Sequence, residues 1–441
     1  ILSSHYHPEH YWVAKCAFLA AEITRERGHP HQAQKLYDNA LQALGGVKVN
    51  YPLNKTIMDL HLGMARNFKD LGLYTDSSAA YERVMIMNQE LSEQFGVETH
   101  CKLEACKIDI GEIQILLGKL DEGKVMVSEA GKELATMTAG EHIMVSDGLL
   151  VFGKARSLEG KYIEAHKILE RALHIRTDLL GPHNPTVAEV YQAMADNFRL
   201  PGFFEQAMAA ETEAMRIRTA VYPEESIYLA HSLHSRANLL RDMNKAEEAL
   251  PVYKEAMAIH ETVTGKESLQ YFQALGDYGD CLRVNKNLEE ADSTLQQALH
   301  GIQALVGKMH ILNADHLRAY VMVCIDSNDP EKHRIALAML DQTVMPICLE
   351  VLGEHHPATL FCRGLIGLVE MLNITPRSVR SEETIPQDLI DDALDYFDNY
   401  KQGKFSPEQP WVRYLGGYIP DHQPKAPKNN LDSDSVSTLG F

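Results

Sequence analysis

Arg199, Arg241 and Arg283 recur at one interval (241−199 = 283−241 = 42), and three positions before each stand Asp196, Asn238 and Asp280. A guanidinium is a permanently charged planar fork that can grip a carboxylate through two hydrogen bonds. A column of such groups could read an extended acidic segment. A plainer reading uses the same residues. Asp196–Arg199 and Asp280–Arg283 have the i,i+3 spacing of ion pairs on one helix, worth about 0.2–0.5 kcal/mol each. Lys69 falls at the arginine position of an earlier unit, with Arg66 at the Asp/Asn position, and Lys154 takes the Asp/Asn position just before the ladder. His231 and His234 lie beside Asn238 and Arg241, as polar residues of the same face rather than a catalytic pair.

Other chemistry finds little support. His5, His7 and His10 cluster near the start, and three histidines so close could hold a borderline metal. They have no cysteine nearby and no carboxylate beyond Glu9, so surface or capping roles fit better. No G-x-G-x-x-G, H-E-x-x-H or G-x-S-x-G motif occurs. Gly118 with Gly123-Lys124 has phosphate-loop spacing, but Val125 stands where a hydroxyl is required. No catalytic residue, metal or cofactor is expected.

The ladder needs elements that repeat as it does. Ala165/Ala172 returns as Ala207/Ala214, Ala249/Ala256 and Ala291/Ala298, again every 42 residues (207−165 = 249−207 = 291−249). Such a period marks an array of one supersecondary unit. Within the unit ending at Leu180, a first helix is predicted over roughly Val145–Leu158 and a second over Ile163–Leu180, with Gly160-Lys161 as the turn. Twelve residues before each leading alanine stand Gly153, Ala195, Ala237 and Gly279. Small residues there let the helices of a hairpin approach closely and the next hairpin stack upon them. Looser versions extend outward: Ala21/Ala33/Ala40, Ala65/Ser77/Val84, Gly111/Gly123/Ala130 and Cys324/Ala336/Thr343. Gly367 belongs to a final hairpin, whose second helix Thr384 and Gln387 could cap. About nine hairpins result, an all-α fold.

The small–small–small spacing resembles the tetratricopeptide repeat. Units of 42 residues joined by segments such as Leu180-Gly181-Pro182-His183-Asn184-Pro185, echoed at Leu352-Gly353-Glu354-His355-His356-Pro357, are similar to the kinesin light chain and nephrocystin-3 subclass. The resemblance covers roughly residues 10–400. It implies a right-handed superhelical solenoid of antiparallel helical hairpins that binds proteins, with the ladder facing its concave groove. The paired asparagines that help kinesin light chains bind cargo are replaced by Gln192-Ala193 and His234-Ser235, so that specificity does not transfer. The lysine and asparagine set of chaperone-binding carboxylate clamps is likewise missing. The expected groove contacts are Arg199, Arg241, Arg283, Asn238, Asp196, Asp280, His234, Lys154, Arg66 and Lys69. Replacing the three arginines by alanine should weaken a partner without loss of helicity.

Composition narrows the class of partner. Lys+Arg 42 against Asp+Glu 61 gives −19, which argues against nucleic acid and anionic membranes. No run approaches the roughly 18 apolar residues of a membrane span. Seven scattered cysteines without a C-x-x-C pair favour a reducing, cytoplasmic setting, with cytoskeletal or ciliary association as one form of it. The chain starts at Ile1 without methionine or leader, as a fragment or processed form would. Residues 1–401 are expected to form the array and 402–421 a capping segment, with Trp411 and Tyr414 covering the end of the last hairpin. Residues 422–441, rich in Pro, Lys, Asn, Asp and Ser, read as a disordered tail, whose Asp432 and Asp434 could fold back onto the ladder. The acidic stretch 382–398 reads as the polar face of an end helix or as a docking face for a basic partner. Three roles remain open: a scaffold or adaptor binding a possibly acidic peptide in its groove, a structural subunit packed along its outer side, and the regulatory region of a larger protein.

Overall fold

The computed structural model describes residues 11–44, 51–95, 100–140, 142–374 and 409–416. These residues form an α-solenoid of antiparallel hairpins. The hairpins pair α1 (Tyr11–Glu26) with α2 (Pro30–Leu44), α3 (Tyr51–Asp70) with α4 (Tyr74–Phe95), α5 (His100–Leu116) with α6 (Leu120–Met137) and α7 (Ile143–Leu158) with α8 (Tyr162–Leu180). They continue with α9 (Pro185–Arg199) and α10 (Phe204–Val221), α11 (Ile227–Asp242) and α12 (Ala246–Val263), and α13 (Leu269–Val284) and α14 (Leu288–Val306). In the eighth hairpin α15 (Ile311–Asp326) meets α16 (Pro330–Met339), which passes through a π turn at Leu340–Val344 into α17 (Met345–Val351). A further first helix follows, α18 (Pro357–Ile374), and a short α19 (Pro410–Gly416). The second helix expected near Thr384, the acidic stretch 382–398, the histidines at 5, 7 and 10 and the tail beyond 416 lie outside the described residues.

The small residues sit where the repeat needs them. Ala165, Ala172, Ala207, Ala214, Ala249, Ala256, Ala291 and Ala298 are all fully buried. A Cβ added to Gly153 would lie 2.8 Å from Leu169, and one on Gly279 2.8 Å from Leu295. The expectation for Thr343 is displaced by one position: Val344 is fully buried while Thr343 is half-buried. The π turn over Leu340–Val344 adds one residue to the helix and moves its buried stripe along by one.

Most consecutive first helices touch one another, whereas the second helices are spread apart. The first helices therefore form the inner wall. Several begin with a side-chain cap, such as Asn184, Ser226 and Ser268, satisfying amides that a helix start leaves unpaired. The second helices α6, α8, α10, α12 and α14 follow a tight turn without such caps and carry acids in their first turn, among them Glu164, Glu205 and Glu247, where the helix dipole favours negative charge; α16 is capped by Asp329.

Five hairpins on, the chain meets itself. The Ile227 amide donates to the Gly28 carbonyl (3.1 Å), Gln270 Nε2 donates to the Asp70 carbonyl (2.9 Å) across 200 positions, and His310 Nε2 pairs with the Leu116 carbonyl (2.9 Å) across 194. Each contact joins a hairpin turn to the start of a later first helix. The turn residues differ accordingly. Gly28, Gly72, Gly118, Gly160 and Gly202 lie against a later segment, and a Cβ on Gly28 would stand 2.7 Å from Ser226 Cβ. In the next three hairpins Asn244, Lys286 and Asn328 take the same left-handed conformation. Glycine is thus kept where another part of the chain rests on the turn, and not merely where φ is positive.

Candidate functional site

The inner wall encloses a cavity of about 900 Å³ lined by residues of first helices from α7 to α18 and by α19. Arg199, Arg241, Arg283, Asn238, Asp280 and His234 all line it. Asp196 is not part of the lining and stands 3.8 Å from Arg199. Lys154, Lys69 and Arg66 belong to earlier first helices along the same wall: Lys69 (2.8 Å) and Lys154 (3.2 Å) share Glu112. Arg66 is solvent-accessible, with Asp109, 43 residues on (109−66), as its main counter-charge.

The ladder cations are already occupied by carboxylates of the chain itself. Arg199 Nη1 donates to Asp242 (2.6 Å) and Arg283 Nη1 to Asp326 (3.2 Å), each 43 residues on. Arg241 donates to Asp242 and Asp277 (both 3.0 Å) and stands 3.5 Å from Asp280, while Arg283 Nε donates to Asp280 (2.8 Å). His234 Nε2 pairs with Asp277 at 2.7 Å, again 43 residues on. Tyr253 Oη donates to Asn238 (2.6 Å), fixing the one neutral member. Burial alone would raise the pKa of Asp277, but His234 and Arg241 hold it well below the usual carboxylate range. Asp280 is lowered too: Arg283 and Arg241 outweigh its desolvation. The cavity lining holds six basic and five acidic side chains, so the wall is nearly neutral within an acidic protein. A free positive stripe is thereby corrected to an alternating lattice, and alanine at all three arginines would also strip the wall of structural ion pairs.

Sequence reasoning overlooked the acidic half, Asp242, Asp277 and Asp326. The signal was an offset of 43 rather than 42, which pairs a residue with its neighbour one hairpin along. It also overlooked a second column on the outer helices. Arg176, Arg218 and His260 follow one another at 42 residues (218−176 = 260−218) and are buried. Arg176 joins Asp147 (2.7 Å) to Glu189 (3.0 Å) between successive first helices, and Arg218 donates to Gln192 (3.1 Å) and Ser232 (2.6 Å). His260 has no hydrogen-bond partner for either ring nitrogen, and burial holds its pKa well below the ordinary value. It stays neutral in the fold while the unfolded chain takes up a proton below about pH 6.5. Stability should therefore fall with pH below that point by up to about 1.4 kcal/mol per unit from this residue. His260→Leu should flatten this part of the profile in urea titrations at pH 7, 6 and 5; an unchanged slope would mean that His260 is charged in the fold.

The short α19 lies within the segment 402–421, which was expected to cap the array. Gln409 caps it, its Oε1 accepting from the Val412 amide (2.9 Å), and lies against Gly202. The Trp411 and Phe361 rings stack at 5.0 Å with an interplanar angle of 3°. The segment was expected to cover the end of the last hairpin. Among the described residues it meets Phe361 of α18 and lies along the cavity against Arg318 of α15, Arg283 of α13 and the end of α11.

The four most regular hairpins are those that match a known family: residues 149–220 and 228–304 fit the tetratricopeptide repeat. Over those two stretches the chain carries tetratricopeptide repeats. Among solved structures, it is similar to a putative kinesin light chain of Podosopora anserina with nearly identical repeats (18% identity, 47% of this chain, 97% of that chain, TM-score 0.37). It is also similar to BtubC from P. vanneervenii (16%, 52% and 91%, TM-score 0.41), and to a Rap protein complexed with competence and sporulation factor (13%, 83% and 99%, TM-score 0.49). No curated protein matches the chain. No helix among the described residues is long and apolar enough to cross a membrane.

Proposed function

We propose that this protein is a scaffold or adaptor, a binding protein and not a catalyst, whose inner groove takes up a peptide segment of a partner protein. The observation that carries this reading is the cavity of about 900 Å³ walled by first helices, with polar and charged groups held in place by inter-hairpin bonds. A preformed wall lowers the ordering cost of binding on the protein's side. Peptide repeats of this kind commonly serve protein interaction. An acidic peptide would have to exchange its carboxylates with Asp242, Asp277 or Asp326 at the guanidinium edges.

Peptides selected from a display library on the full chain provide the test. Gln273 is half-buried and lines the cavity. Gln273→Trp should narrow the groove and lower the affinity of the selected peptides by about tenfold or more, with the circular dichroism unchanged. Equal binding by the variant would place the peptide site elsewhere.

A second reading, packing against an assembly through the outer side, is supported by apolar residues exposed on second helices: Ile163 (69%), Leu179 (50%) and Val221 (49%). Its partners would bind with little dependence on salt.

A further inference from the structure

The edges of the ladder guanidinium groups are taken by aspartates, but their planar faces are not used in the same way. Arg283 Cζ lies 5.4 Å from the centre of the Tyr414 ring, and Arg318 Cζ lies 5.5 Å from that of Trp411. Arg318 is itself bound edge-on by Asp315. Tyr414 Oη donates to Asp326 (3.0 Å), the same carboxylate that Arg283 holds. Arg413 donates to the carbonyl of Asp242, 171 residues earlier. Phe361 meets both rings, face to face with Trp411 and edge-on to Tyr414 at 6.5 Å. A guanidinium whose edge is neutralised still attracts the face of an aromatic ring. One carboxylate and one aromatic ring can therefore occupy the same arginine together, whereas two further carboxylates would compete for its edge.

We propose that Arg283, Arg318 and Phe361 form a specificity clamp for a short helical segment carrying aromatic residues three positions apart, a Trp-x-x-Tyr arrangement. The chain's own Trp411 and Tyr414 occupy this clamp, and a partner segment of the same chemistry replaces them. This rests on the groove reading above and narrows it from an acidic to an aromatic ligand. The seated segment is the evidence for the occupant. It presents an aromatic pair on one face, a hydroxyl to Asp326 and a cation to the end of α11, so every feature of the clamp meets a matching group.

The probe is a fluorescein-labelled synthetic peptide of residues 407–418, titrated by anisotropy into the full chain and into Trp411→Ala/Tyr414→Ala. Wild type should bind it weakly, because the clamp is filled. The double variant should bind it about tenfold more tightly or better. Adding Phe361→Leu to that variant should remove the gain. A peptide with both aromatics replaced by leucine should bind neither protein. Equal affinity for wild type and the double variant, or no binding to a double variant of unchanged circular dichroism, would overturn the clamp. So would light scattering that shows wild-type dimers which the double variant lacks, since the segment would then serve exchange between copies. Library peptides that lose affinity with Gln273→Trp yet carry no aromatic pair would leave the groove reading standing and end this one.

Discussion

Arg241→Ala should cost about 3 kcal/mol of folding stability at pH 7, far more than a surface ion pair contributes. The side chain is only 11% exposed and bridges Asp242, Asp277 and Asp280. Its removal leaves three carboxylates with fewer counter-charges in a wall that water reaches poorly. Asp277 and Asp280 have lowered pKa values in the fold. Their contribution is therefore present above the ordinary carboxylate range and is lost as pH falls through about 4 and below. The gap between wild type and Arg241→Ala should shrink in the same direction. Arg241→Lys should fall between the two, because it keeps the charge and loses the fork. Arg241→Ala/Asp277→Asn should regain part of the loss. Chemical denaturation at pH 7 and pH 3.5 measures all four. A cost below about 0.5 kcal/mol for Arg241→Ala would return the ladder to a row of ordinary surface pairs.

Gly28→Val should open the contact between the first hairpin and the sixth. The position has φ +84°, where a β-branched residue is strained, and its Cβ would stand 2.7 Å from Ser226 Cβ and 3.0 Å from the Ile227 amide. Strain of about 1–2 kcal/mol adds to the loss of the Ile227–Gly28 hydrogen bond. The two layers must separate locally, since neither side can yield backbone. Hydrogen exchange at the Ile227 amide should accelerate by about tenfold or more, and small-angle scattering should report a longer particle. Asn328→Val, at an exposed turn with the same left-handed backbone, should show the backbone strain without the change in shape. Identical scattering from Gly28→Val and wild type would mean that this contact does not hold the layers together.

Much of this was legible in the residues. The alanine pairs gave the hairpins, because a buried small side chain is demanded wherever two helices cross closely, and only small residues such as alanine and glycine meet that demand at a fixed interval. The ladder spacing put Arg199, Arg241 and Arg283 on one wall for the same reason. Their partners were harder to see. Asp242 and Asp326 stand 43 residues beyond Arg199 and Arg283, but Val284 stands 43 beyond Arg241, so the offset shows only once the stacking register is known. The π turn at Leu340–Val344 breaks a periodicity that a sequence reads as unbroken from Ala336 to Thr343. Contacts across about 200 residues leave a faint trace in the glycine turns that give way to Asn244, Lys286 and Asn328. Without a shape for the stack, those glycines read as ordinary turn residues. Trp411 and Tyr414 were visible as an aromatic pair, but the arginine faces they rest on were not.

A photoreactive amino acid placed at position 273, on the inner wall, and at position 163, on the solvent face of α8, would show which face other chains occupy. Irradiation in lysate followed by mass spectrometry should yield, from position 273, cross-links to residues 409–416 and to short segments of other proteins, with few from position 163. Partner cross-links from position 163 alone, with none at 273, would contradict the groove as the working surface.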